Sequence, residues 1–168
     1  TLSYGKNNII DFRNYDPNKI IGIFAPNHYG KSAILDIILF CLFDKFSRGE
    51  RRDILNKNEN KMYCSLLLSV GKQQYLIERM GQRSKNGLTV KIDVNFYSIT
   101  IGKKKEINKV NLNGLDKNET NKKIIELIGN YNDYLTTCFC VQHGKNTNFI
   151  DMTQLQKKEY LNEILKLN

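Results

Sequence analysis

The order of its apolar segments predicts a mixed α/β fold for this chain. Three observations carry that prediction. Two runs rich in Ile and Phe precede a glycine-containing loop and a long apolar stretch. A central block then alternates apolar and polar residues around short turn signals. The last third carries apolar residues at helical spacing. With 168 residues, 40% hydrophobic and 26% charged, the chain can build one domain around a core.

The elements follow in order. Residues 8–12 (NIIDF) and 19–25 (KIIGIFA) read as strands, the second apolar enough to be buried on both faces. Residues 31–44 (KSAILDIILFCLFD) are long and apolar enough for a buried helix. Residues 62–70 and 74–80 flank Gly71-Lys72-Gln73, a hairpin signal. Residues 88–97 alternate and predict another strand, and the basic piece 102–113 a loop or short hairpin. Ile124, Ile125, Leu127 and Ile128 place a helix over 119–128, stopped by Gly129-Asn130. A last helix is expected from about Thr153 to Leu167, capped by Asp151 or Thr153.

Composition narrows the function classes. No run of about 18 apolar residues occurs, so no membrane span is expected, and the N-terminus does not read as a signal peptide. The chain does not begin with Met, as expected of a piece of a longer polypeptide. Cys41, Cys64, Cys138 and Cys140 fit no zinc spacing and are expected as reduced residues in or near the core, which suits a reducing, intracellular compartment, nucleus or cytoplasm. The net charge of +9 suits polyanionic partners. It equally suits solvated lysine in a Lys- and Asn-rich chain.

The segment APNHYGKSAILD, residues 25–36, carries the chemistry. A predicted strand enters at Ala25 and a predicted helix leaves at Lys31, the context a phosphate-binding loop needs. Amides at a helix start have no intrahelical partner and lie at the positive end of the dipole, so a phosphate satisfies both. Such a loop, Pro26, Asn27, His28, Tyr29, Gly30, Lys31, Ser32 and Ala33, would cradle ATP. Lys31 would reach the β- and γ-phosphates and Ser32 would hold Mg²⁺. A chance match to this string is expected on the order of once in a hundred chains of this size, given Gly usage near 7%. His28 and Tyr29 are bulky for a loop that hugs phosphates. Either the loop uses their amides with both side chains outward, or one side chain contacts the nucleotide. Asp44 imitates a magnesium-binding aspartate after an apolar run. It must sit at the far end of the helix after the loop, roughly 20 Å away.

The wider surroundings, LSYGKNNIIDF, APNHYGKSAILDIILFCLF and YLIER, resemble the N-terminal lobe of SMC-like ABC ATPase heads, most closely the SbcC-type double-strand-break repair ATPases and their viral relatives. A phrase like Asn-x-x-Gly-Lys-Ser-x-(Ile/Leu)-Leu-Asp follows the strand in that family, matching Asn27 to Asp36. The segment around VQHGKN resembles the family's Q-loop, with Gln142 as its glutamine.

The resemblance implies a P-loop ATPase lobe of ABC type with an antiparallel β-subdomain. Residues 1–168 would be the N-terminal half of a head, 153–168 would lead into a coiled coil, and the C-terminal lobe would be absent. Lys31 and Gln142 would be catalytic, with Gln142 also on Mg²⁺ or on the attacking water. Two heads would close on ATP, bind DNA and regulate an SbcD-type nuclease. The magnesium-holding Asp, the catalytic Glu and the signature motif lie in the family's second lobe, so this half is expected to bind ATP but not to turn it over efficiently. Arg48, Arg51, Arg52, Lys103, Lys104 and Lys105 are candidate DNA contacts or, equally, solvated loop charges. Two other readings are an SMC or RecF/RecN-like head, and a non-catalytic DNA-binding scaffold on a decayed loop.

Overall fold

The computed structural model describes residues 2, 4–16, 18–45, 50–101, 107–132, 134 and 152–165. They fall into two units, residues 1–124 and 125–168.

The first unit is built on a four-stranded antiparallel sheet of β1 (Lys61–Val70), β2 (Gln73–Arg83), β3 (Val90–Ile101) and β4 (Ile107–Asn111), in that spatial order. Each strand pairs with its neighbour in sequence, so every connection is local. The β1–β2 hairpin closes Val70 against Gln73. Gly71 takes the first loop position at φ +60, a left-handed conformation that glycine adopts without strain. The basic stretch expected to be a loop or hairpin yields β4, which pairs with β3.

Helix α1 (Lys31–Phe43) covers the sheet's inner face. Phe40 and Cys41 meet Ile54, Leu55, Met62, Cys64 and Ile92 in one buried cluster. Met62, Gly81 and Ile92 lie side by side across three strands. A Cβ on Gly81 would stand 2.6 Å from Met62 Cγ and 2.9 Å from Ile92 Cδ1, so the close packing of this layer requires glycine there. Ile54 and Leu55 reach the cluster from a 3₁₀ turn, Arg51–Ile54.

Arg79 on β2 is fully buried. Its Nε donates to the Cys41 carbonyl at 2.8 Å, and its Nη2 to the Leu42 carbonyl at 3.3 Å and to Asn121 Oδ1 at 2.9 Å. A cation at the last turn of α1 answers the negative end of that helix. The guanidinium also lies 5.8 Å from the centre of the Phe40 ring. One side chain therefore ties the sheet to α1 and to α2 (Lys117–Ile128).

The expected reduced, buried state holds for Cys41 and Cys64, while Cys138 and Cys140 lie outside the described residues. Cys41 donates to Cys64 Sγ at 3.4 Å. That hydrogen bond and burial push the Cys41 thiol up; accepting it, with the charge of Arg79 nearby, brings the Cys64 thiol down.

The strands predicted over 8–12 and 19–25 are not formed. Both stretches are irregular, and Ile9, Ile20 and Phe24 are 89%, 100% and 95% exposed. The residue types favour a strand, but a strand exists only through lateral pairing. Among the described residues, the sheet is made of residues 61–111 alone, and neither stretch joins it.

In the second unit, α3 (Gln154–Leu165) starts where the sequence placed its cap. The Gln156 amide donates to Thr153 Oγ1 at 3.3 Å and the Thr153 amide to Gln156 Oε1 at 2.9 Å, a reciprocal capping box. Asp151, the other candidate cap, lies outside the described residues. No helix of the described residues is long and apolar enough to cross a membrane.

Candidate functional site

The loop between Ala25 and Lys31 closes with two left-handed residues, His28 at φ +69 and Gly30 at φ +86. Glycine takes that conformation freely; histidine is one of the few other residues found there. Gly30 is the N-cap of α1 and, having no side chain, makes no side-chain cap. The first turn of α1 holds no acidic residue. The start of the helix therefore presents backbone donors without a competing carboxylate in that turn, the arrangement that favours an anion.

A cavity of about 410 Å³ opens at this helix start. Asn27, His28, Gly30, Lys31, Ser32 and Ala33 form its wall, all six of them expected from the sequence. Pro26 contributes in another way. Lys31 Nζ donates to the Pro26 carbonyl at 2.9 Å and also to the Ala25 carbonyl, so the ammonium is folded back onto the loop. Tyr29 is 73% exposed and is not part of the wall. The two bulky loop residues thus separate, His28 in the wall and Tyr29 outside it.

Leu2 and Asp36 complete the wall. Asp36 lies four residues after Ser32, one turn along the same helix face. It is a carboxylate 3% exposed. Its spacing from Ser32 was visible in the sequence, but its burial was not. Leu2 and Tyr4 fall in the stretch that carries the family resemblance, but nothing in the sequence placed them at the loop: Tyr4 reaches Gly30 across 26 residues. Asp44 caps the far end of α1, where the sequence placed it, and pairs with Lys117 at 2.7 Å.

The remaining expected residues divide. Gln142, Arg48, Lys103, Lys104 and Lys105 lie outside the described residues, as does His143, read as a loop residue. Arg51 opens the 3₁₀ turn. Arg52 pairs with Glu50 at 3.0 Å on the surface, a contact of small energetic weight. The described residues contain no cluster of three or more His, Cys, Asp or Glu able to hold a metal.

A glycine N-cap, a first helical turn without a carboxylate and a lysine on the loop carbonyls accord with a P-loop ATPase domain of α/β class. The chain belongs to the AAA domain family, which it matches over residues 2–168, and membership implies nucleotide binding. It is 80% identical over 167 residues to the uncharacterized protein R555 of Acanthamoeba polyphaga mimivirus, an alignment covering 99% of this chain and 12% of that protein. It is a distant homologue of the SbcC component of the nuclease SbcCD. Identity is 25% over 175 residues to the Bacillus subtilis protein, covering 98% of this chain and 14% of that one. It is 26% over 162 residues to the Clostridium acetobutylicum protein, covering 94% and 13%. The chain thus spans no more than 14% of the length of these curated relatives.

Proposed function

We propose that this chain is the ATP-binding, N-terminal part of an SMC-like ABC ATPase head of the DNA-repair type. The observation that carries the reading is the loop-to-helix junction at Gly30, where Lys31, Ser32 and the first turn of α1 line one cavity. These residues fit a nucleoside triphosphate with Mg²⁺. The loop amides and Lys31 would bind the phosphates, and the Ser32 hydroxyl would be a magnesium ligand. The metal would supply charge neutralisation between the phosphates. Lys31 would leave the carbonyls of Ala25 and Pro26 for the phosphate oxygens, exchanging neutral acceptors for charged ones. Gln142 would orient the attacking water or join the metal.

Homology to the SbcC component of SbcCD supports the wider setting. In it, two heads close on ATP, contact DNA and act on an SbcD-type nuclease, and residues 153–168 lead into a coiled coil. The helical α3 and its cap accord with such an exit. Arg48, Arg51, Arg52 and Lys103–Lys105 would meet DNA phosphates, so binding should weaken steeply with salt. A salt-independent affinity would remove that surface from the reading. The buried, unbridged Cys41 and Cys64 suit a reducing compartment, cytoplasm or nucleus.

Titration with a fluorescent ATP analogue and Mg²⁺ tests the core of the reading. Wild type should bind, Lys31→Ala should lose at least tenfold, the weight of a charge-assisted bond, and Ser32→Ala should blunt the magnesium dependence. Indistinguishable wild type and Lys31→Ala would favour a decayed loop on a DNA-binding scaffold. The left-handed His28 is the feature that keeps this second reading open.

A further inference from the structure

Tyr4 is half-buried, and its hydroxyl donates to the Gly30 carbonyl at 3.2 Å. The same carbonyl accepts the Ala33 amide at 3.0 Å. Two donors therefore hold one oxygen on the helix side of the junction. In a planar trans peptide the carbonyl and the following N–H point in opposite directions. Fixing the Gly30 oxygen thus turns the Lys31 amide the other way, out of the helix start and toward the loop. A rotated Gly30–Lys31 peptide would instead aim a carbonyl oxygen at an arriving anion. The junction needs such restraint because its backbone is permissive: Gly30 is left-handed at φ +86 and has no side-chain cap.

The segment that carries Tyr4 is itself fastened. The Leu2 amide donates to the carbonyl of the fully buried Ile54 at 2.8 Å, and Leu2 joins the cavity wall. The tyrosine therefore reaches the loop from a segment anchored in the core of the same unit.

We propose that Tyr4 is a positioning residue for the phosphate loop, holding the Gly30–Lys31 peptide in its anion-accepting orientation. This rests on the nucleotide-binding reading of the cavity. The phenolic hydroxyl does the holding; the ring supplies reach and packing. Tyr4→Phe keeps the ring and removes the donor, whereas Tyr4→Leu removes both.

The test compares full chains carrying Tyr4→Phe, Tyr4→Leu and Lys31→Ala with wild type. ATP affinity is measured with Mg²⁺, and thermal melting with and without ATP. Tyr4→Phe should weaken ATP binding about two- to tenfold, the share of one neutral hydrogen bond, while the ligand-free melting temperature stays within about a degree and the ATP-induced rise shrinks. Tyr4→Leu should show the same loss of affinity together with a lower ligand-free melting temperature. Wild-type affinity in Tyr4→Phe, with Lys31→Ala impaired, would overturn the positioning role and leave the nucleotide site standing. A lowered ligand-free melting temperature with unchanged affinity would also overturn it, as the mark of a purely structural tyrosine. ATP binding indifferent to Lys31→Ala would overturn the nucleotide reading and this role with it.

Discussion

Residues 8–24 and residues 61–101 draw on the same residue types. Ile20 and Phe24 in the first region are almost wholly in solvent, while Ile77, Ile92 and Phe96 in the second are 0%, 3% and 3% exposed. The difference lies in where partners come from. Each strand of the sheet pairs with its neighbour in sequence, and the first pair turns back through a two-residue link. That closure costs little chain entropy. A strand buried on both faces, as 19–25 reads, takes neighbours that sequence proximity does not supply. Apolar β-formers state a preference, and pairing decides whether it is met.

Five substitutions would break or sharpen this contrast, each measured by chemical denaturation of the chain. The largest effect is expected at Arg79. Arg79→Ala removes the tie between β2, α1 and Asn121 and leaves the Cys41 and Leu42 carbonyls without that donor, costing on the order of 4 kcal/mol. A loss under about 1 kcal/mol would mean that the sheet and α1 hold together without it.

Gly81→Ala comes next, at about 1–3 kcal/mol. Its methyl would press on Met62 and Ile92 inside the packed layer. An unchanged midpoint would show that this layer yields more readily than its spacing allows. Gly71→Ala is the complementary case. Nothing lies within 4 Å of an added methyl there, so only the left-handed backbone resists. About 1 kcal/mol is expected, and a larger loss would show that the hairpin link sets the sheet's register.

The smallest effect belongs to the exposed region. Ile20→Ser and Phe24→Ser should each change stability by no more than about 0.5 kcal/mol, as surface substitutions do. A loss of 2 kcal/mol or more would place those side chains in a packed environment and erase the contrast.

The legibility of this chain follows the same division. The α1 helix, the hairpin at Gly71, α2 stopped at Gly129 and α3 capped by Thr153 could all be read in advance. Each is specified by residues within a few positions of one another. That Gly30, Lys31 and Ser32 fall together at the start of α1 was equally legible, since they are consecutive. The sequence treated His28 and Tyr29 alike; the structure separates them, because the backbone places one in the wall and the other outside. Nothing in the sequence placed Tyr4 at the loop: its partner lies 26 residues on, and a hydrogen bond to a carbonyl leaves no trace in the partner's identity.

By itself, then, the sequence determined the local elements, the residues at the start of α1 and the family resemblance, because periodicity, caps and turn residues act over short range. Tertiary structure alone decided that the apolar runs of 8–24 stay unpaired. It also decided that Arg79 of YLIER is buried against the end of α1, that Cys41 meets Cys64, and that Tyr4 holds Gly30. These outcomes depend on which distant groups the chain brings within a few ångströms, and the burial and hydrogen bonds of those groups have energies only once it has done so.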